Sequence, residues 1–202
     1  MICAYFTENV FRIITSDAEE MRGLNKKDAK YAGENVWKYA VDNARLKAED
    51  VFNRVNQHGI TSLNEKFLVI GADTIVTYAG TIYGKPKDKE DAKRILKELS
   101  GKTHSVISGV VMITNLDKND SSQEKFDTQF YASTEVEFDV LDDNVIKAYV
   151  DTGEPMDKAG AYGIQALGGT LVKKINGDYY NVVGFPLNLF CTTVKSIFEN
   201  VI

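Results

Sequence analysis

The chain has little with which to cross-link itself or hold a soft metal. Two cysteines, Cys3 and Cys191, stand near opposite ends. They are too few for a disulfide framework, and nothing near them has zinc-ligand spacing. They read as ordinary thiols in a reducing compartment. Histidine occurs twice, at His58 and His104. Neither has a serine, cysteine or second histidine at catalytic spacing, so both read as structural and no hydrolase triad is visible. No apolar run approaches membrane-spanning length. The N-terminal "MICAYFTENVFRII" lacks a basic stretch and an extended apolar core, so no secretory leader is expected and the cytoplasm is the expected location. A long basic run is also missing, and the formal net charge is -5. That argues against binding the phosphate backbone of long nucleic acids, while leaving room for a small anion in a locally positive pocket.

What remains is an ordinary globular composition. The 202 residues are 44% hydrophobic and 26% charged, enough for one domain with a real core. Residues 33–58 read as a long helix, with Trp37, Ala40, Val41, Ala44, Ala48, Val51, Phe52 and Val55 at helical spacing and Gly59 as the stop. "FLVIGADTIV" reads as a strand rich in β-branched residues. Asp88 is placed to cap a helix whose stripe is Ala92, Ile95, Leu96 and Leu99, closed by Gly101. "HSVISGVVMIT" and "QFYASTEVEFDV" read as strands around a polar connection at 116–126. Asp142 caps a short helix ending near Asp151, and 153–170 is glycine-rich and irregular. "LVKKINGDYYNVV" reads as a hairpin turning at Asn176-Gly177. Pro186 opens a last helix with Leu187, Phe190, Cys191, Val194 and Phe198 inward. The pattern predicts an α/β (mixed α+β) fold, one domain with a twisted mixed sheet flanked by helices.

Several charged and polar residues sit where a bland core would not need them. Asp73 interrupts an apolar strand beside the small pair Gly71-Ala72. A carboxylate there suits holding a divalent metal or accepting a proton from water, and equally suits capping a turn or pairing with a lysine. Lys85 lies between Gly84 and Pro86, and proline restricts it to extended geometry, so its stem has a defined direction suited to a phosphate oxygen. An exposed loop lysine is the commoner outcome for that residue type. Lys47 falls at the edge of the long helix's buried stripe, which predicts a snorkelling side chain with its head out of the core. Glu19 and Glu20 follow the strand "FRIITSDA" and suit a metal ligand or a solvated loop. Gln165 lies in "AYGIQALGG", where glycines permit close backbone approach and an amide can read a base edge or pack on its own loop. Tyr162, Tyr179 and Tyr180 suit packing better than a base pocket.

Taken together, "VIGADTIV", "GKPKDKEDAKRILKELSGKTHSVISGV" and "GEPMDKAGAYGIQALGGTLVKKINGDYYNVVGFPL" resemble the Maf family of nucleoside triphosphate pyrophosphatases. They cover most of residues 69–187 in the family's order. "NARLKA" resembles the family's helix-lysine segment, and "AEE" the acidic end of its early strand. The resemblance implies an inosine-triphosphatase-like fold with a nucleotide cleft, and hydrolysis between the α and β phosphates with Mg²⁺ or Mn²⁺. It implies Asp73 as proton acceptor and metal ligand, Glu20 as a second metal ligand, Lys47 and Lys85 as phosphate-neutralising residues, and Thr74 and Gln165 as substrate-selecting residues. The "GIQALGG" form is similar to the branch preferring dTTP and UTP, modified uridine triphosphates included. A homodimer is among the assemblies the resemblance allows. The family's Ser-x-Ser-Pro-Arg-Arg loop occurs nowhere in the sequence. Its absence predicts weak triphosphate binding and an unfilled strand position. Three readings follow: a pyrimidine nucleotide pyrophosphatase, a nucleotide-binding regulator without turnover, and a purine-directed pyrophosphatase.

Overall fold

A computed structural model describes residues 24–57, 67–114 and 126–199, with backbone alone at 2–6, 11–15, 56–57, 126 and 197–199. The elements are strands β1 (Ile2–Phe6) and β2 (Phe11–Thr15), helix α1 (Trp37–Gln57), strands β3 (Leu68–Tyr78) and β4 (Thr81–Tyr83), helix α2 (Lys89–Leu99), and strands β5 (Thr103–Thr114) and β6 (Phe126–Phe138). Helix α3 (Asp143–Asp151), strand β7 (Val172–Asn176) and helices α4 (Tyr179–Val183) and α5 (Leu187–Glu199) complete the strands and α-helices among the described residues. This is the mixed α/β architecture the sequence predicts. Seven strands hydrogen-bond in the order β2-β1-β3-β5-β6-β7, with β4 paired to β3. β1 runs antiparallel to both β2 and β3, and Cys3 is the register partner of Gly71.

The residues form two compact units. The first comprises 1–73, 109–131 and 188–202. Its core is the alanine- and valine-rich stripe of α1, with Val41, Ala44, Ala48, Val51 and Val55 buried against Val69, Val111 and Ile113. Small residues let this helix lie very close to the sheet. A Cβ added at Gly71 would stand 2.3 Å from the Ala44 carbonyl oxygen, and one at Gly109 would stand 2.5 Å from the Val41 nitrogen. Both glycines are therefore demanded by main-chain contact rather than by a turn.

The second unit comprises 74–108 and 132–187. Asp88 caps α2 by accepting from the Asp91 amide, and Asp142 caps α3 by accepting from the amides of Asn144 and Val145. The predicted stripe of α2 is fully buried, against Tyr83, Val106, Phe138, Ile146 and Val150. His104 and Tyr162 are also interior: His104 Nε2 and Tyr162 Oη are 2.9 Å apart, and both rings pack edge-on to Phe138.

Two expectations fail. The stretch at 171–183 is not a hairpin. β7 pairs with β6 and is followed by a helix. Asp178 accepts from the Tyr180 amide, so the helix cap one residue after Asn176-Gly177 outcompetes the two-residue turn. In α5, Leu187 is 43% exposed and Cys191 is an exposed thiol, while Phe190 and Val194 are half-buried. Apolar side chains occupy more of this helix's circumference than one face can bury, so spacing alone overcounts the inward set. Phe198, His58, Gly59, Glu19, Glu20 and the 116–125 connection lie outside what is described of side chains or backbone.

Candidate active site

In the first unit the candidate site residues are built on α1 and β3. Positions 40, 44, 47, 48 and 51 recur at helical spacing, so Lys47 shares the face of the buried alanines. It does not snorkel. Lys47 and Asp73 are each 2% exposed, and Lys47 Nζ donates to Asp73 Oδ1 at 2.6 Å. The alanines on either side leave room for the stem, and the acid on β3 gives the ammonium a reason to stay inside. Asn43, one helical turn before Lys47, donates from Nδ2 to Asp73 Oδ2 at 3.2 Å. A carboxylate accepts only, so this contact fixes which way the amide points. The other amide atom, Asn43 Oδ1, is buried with no hydrogen-bond partner among the described residues.

Charges this deep are costly unless paired. Both oxygens of Asp73 are engaged by donors, one cationic and one neutral. The alternative reading of Asp73 as a turn cap is thereby corrected, since it sits inside β3. Sequence reasoning does not single out Asn43. The available signal is a polar residue four positions before a lysine, in a stripe otherwise lined by alanine.

In the second unit Thr74 stands next to Asp73 in sequence, so its side chain emerges on the opposite face of the strand. Thr74 Oγ1 is 2.8 Å from Ser108 Oγ and 3.3 Å from the Gly184 carbonyl oxygen. Ser108 Oγ donates to the Asn181 carbonyl at 3.2 Å. Two hydroxyl protons serve three oxygen–oxygen contacts, so the single Thr74 proton is already called on by the Gly184 carbonyl and Ser108 Oγ, and what the Thr74 hydroxyl keeps in reserve is acceptor capacity. The neighbouring Thr134 hydroxyl, in contrast, is saturated. It accepts from the Asp178 amide and Asn181 Nδ2 and donates to the Asp178 carbonyl.

Lys85 is exposed, and Pro86 after it is buried. The Gly84 carbonyl accepts from the Gly160 amide at 3.1 Å, so the lysine's main chain is anchored on both sides. Its charge reaches Asp157: Asp157's carboxyl is held below the usual range, chiefly by its bond to Lys158, with Lys85 a lesser contributor. Gln165 is exposed in the loop between Gly163 and Gly168. Of the tyrosines weighed for a base pocket, Tyr162 is buried in the core, whereas Tyr179 and Tyr180 are 41% and 53% exposed. Glu20 lies outside the described residues. Among the described residues no group of three or more His, Cys, Asp or Glu side chains is placed to hold a metal ion. No helix among them is long and apolar enough to cross a membrane.

Known proteins bear on this arrangement. The family model described as Maf-like protein matches residues 6–197. A dTTP/UTP pyrophosphatase of Clostridium beijerinckii is 47% identical over 93% of this chain and 88% of its own length. One of Thermococcus gammatolerans is 43% identical over 89% of this chain and 81% of its own. A human protein named as a probable bifunctional dTTP/UTP pyrophosphatase/methyltransferase is 47% identical over 160 residues, 79% of this chain. The matched segment spans only 25% of that human protein's length. The resemblance carried by the Val69–Pro86 and Gly153–Leu187 segments thus extends along nearly the whole chain, and the protein belongs to the Maf-like family.

Proposed function

We propose that this protein hydrolyses nucleoside triphosphates at the α–β phosphoanhydride, releasing a nucleoside monophosphate and pyrophosphate, with dTTP, UTP and modified pyrimidine triphosphates preferred. The observation that carries the reading is the buried carboxylate of Asp73, held by Lys47 and Asn43 within the strand "VIGADTIV", one of the segments that carry the resemblance to the family. Water forms a bond to phosphorus and the bridging bond breaks, its electron pair leaving on pyrophosphate. The water's proton passes to Asp73. Such chemistry needs chiefly positioning and charge neutralisation. Lys47 balances and orients Asp73, and Lys85, aimed by its anchored main chain, meets phosphate charge. Thr74 and Gln165 select the substrate. The activity is cytoplasmic in this reading.

The donor chemistry fits a Mg²⁺ or Mn²⁺ ion. Asp73 offers hard carboxylate oxygens, and the orphaned Asn43 Oδ1 is a further hard oxygen in the same buried group. Mg²⁺ characteristically takes one or two carboxylates and completes its shell with substrate phosphates and water, so a three-residue protein cage is not required. Asp73 would hold the ion, with Glu20 as its second carboxylate. When bound, the cation supplies charge neutralisation at the phosphates.

Pyrophosphate release from a panel of nucleoside triphosphates, with Mg²⁺ or Mn²⁺ and again after chelation, tests the reading. UTP and dTTP are expected to lead the panel, and chelation is expected to stop turnover. Release of orthophosphate instead of pyrophosphate, or no turnover of any nucleotide with metal present, would overturn it.

A further inference from the structure

The loop that carries Gln165 is held shut by two side chains that the reaction itself does not use. Its ends, Gly163 and Gly168, touch through their main chains: a Cβ added at Gly168 would stand 2.6 Å from the Gly163 carbonyl oxygen and 2.9 Å from its nitrogen. Tyr149, from α3, places its hydroxyl at that junction. The same hypothetical Cβ would lie 2.5 Å from Tyr149 Oη. The Gly163 amide donates to Tyr149 Oη at 3.2 Å, and that hydroxyl donates onward to Glu154 Oε1 at 3.0 Å. Glu154 closes the other side. Its Oε1 accepts from the Gly168 amide and its Oε2 from the Leu167 amide, both at 3.0 Å. One carboxylate therefore gathers three donors, and one hydroxyl both accepts and donates. Burial pushes the Tyr149 phenol well above its ordinary range, so it remains a proton donor at any working pH. Glu154 is itself set in place: Gly153 before it adopts φ +80, and the Glu154 amide donates to Thr152 Oγ1.

A loop of this length has no core of its own, and Gln165 at its exposed tip inherits its position from the two ends. Hydrogen bonds to a charged acceptor are the strongest available to fix such ends. We propose that Tyr149 and Glu154 are positioning residues for nucleobase selection, clamping the 163–168 loop so that the Gln165 amide meets the base in one register. This rests on the reading above that Gln165 faces the base. A tip residue that must match a base edge tolerates little displacement, and a shift on the order of 1 Å can cost about a hundredfold.

The test uses Tyr149→Phe, which deletes both hydroxyl bonds and keeps the ring in the core, and Glu154→Gln, which turns one acceptor into a donor facing an amide N–H. Each is compared with wild type for kcat/KM on UTP, dTTP, CTP and GTP, alone and combined with Gln165→Ala. Amide exchange at Gly163, Leu167 and Gly168 is measured alongside. The expected result is a fall of about tenfold or more in the pyrimidine preference, faster exchange at those three amides, and no further fall once Gln165 is Ala. A merely structural role lowers turnover of every nucleotide together and leaves the ratios alone. Unchanged ratios in Tyr149→Phe, or effects that add to those of Gln165→Ala, overturn the clamp. If Gln165→Ala by itself leaves every ratio at the wild-type value, the base-reading role of Gln165 falls, and the clamp's part in selection falls with it.

Discussion

Replacing Asp73 by asparagine should damage the fold as well as the reaction. Asp73 and Lys47 are each 2% exposed and 2.6 Å apart. The substitution removes the carboxylate charge and leaves the ammonium inside. Breaking a buried pair from one side typically costs about 3–5 kcal/mol, against a total stability of about 5–15 kcal/mol. At about 3 kcal/mol per molar urea, the midpoint should fall by about 1–2 M. Removing both charges is a different perturbation. Asp73→Asn with Lys47→Met exchanges an ion pair for a neutral, similarly sized pair, and such exchanges are often neutral or stabilising. The double variant should recover most of the lost midpoint. Turnover should not recover, because a missing proton acceptor costs about 10²–10⁴ in rate whatever the stability. Urea unfolding followed by tryptophan fluorescence, paired with pyrophosphate release at a temperature where every variant is folded, separates the two effects. A single variant within about 1 kcal/mol of wild type, or a double variant no more stable than the single, would refute the account of the pair. Near-normal turnover in either would refute the role of Asp73.

Further outcomes follow from the same geometry. Burial lowers the pKa of His104 to about 4 from an ordinary 6.5, so the folded protein keeps it neutral where the unfolded chain protonates it. Its contribution is complete above about pH 6.5 and is lost as pH falls from 6.5 toward 4, to a total of about 3 kcal/mol. His104→Phe should flatten urea midpoints across that window, and an unaltered slope would exclude His104 as the source. Gly71→Ala forces a methyl to 2.3 Å from the Ala44 carbonyl, and should cost about 2–4 kcal/mol in thermal or urea unfolding. Gly80→Ala has φ +77 but nothing within 4 Å, and should cost about 1 kcal/mol. Asn43→Ala removes one hydrogen bond to the Asp73 carboxylate, and should lower kcat about tenfold with KM little changed in steady-state assays.

Much of this protein is legible in its sequence, and the exceptions share a cause. Periodicity reports the angle of a side chain around its own helix. It gives the stripes of α1 and α2 and the caps at Asp88 and Asp142, because those depend on near neighbours. It cannot report what faces a helix from elsewhere. Lys47 reads as a border lysine until Asp73, 26 residues later, is known to lie opposite it. Asn43 is silent for the same reason. At 176–178 two local signals compete, a hairpin dipeptide and a helix cap, and the cap wins because the helix also brings Asn181 inward to Val106 and Thr134. Gln165 is visible as a polar residue among glycines. The clamp that holds its loop joins residues 5 to 14 apart, in segments with no periodic pattern to reveal them.

The close approach of α1 to the glycines of β3 and β5 has one more consequence. Where a side chain meets a side chain, warming opens rotamers and the spacing can drift. At Gly71 and Gly109 there is no side chain to rearrange, and peptide planes set the gap directly. Separations fixed by peptide planes expand little with temperature. Lys47 and Asp73 are carried on the two surfaces so gauged, one on α1 and one on β3. Their contact should therefore keep its length until the helix leaves the sheet altogether, so that heat would switch this ion pair off in a single step instead of loosening it by degrees.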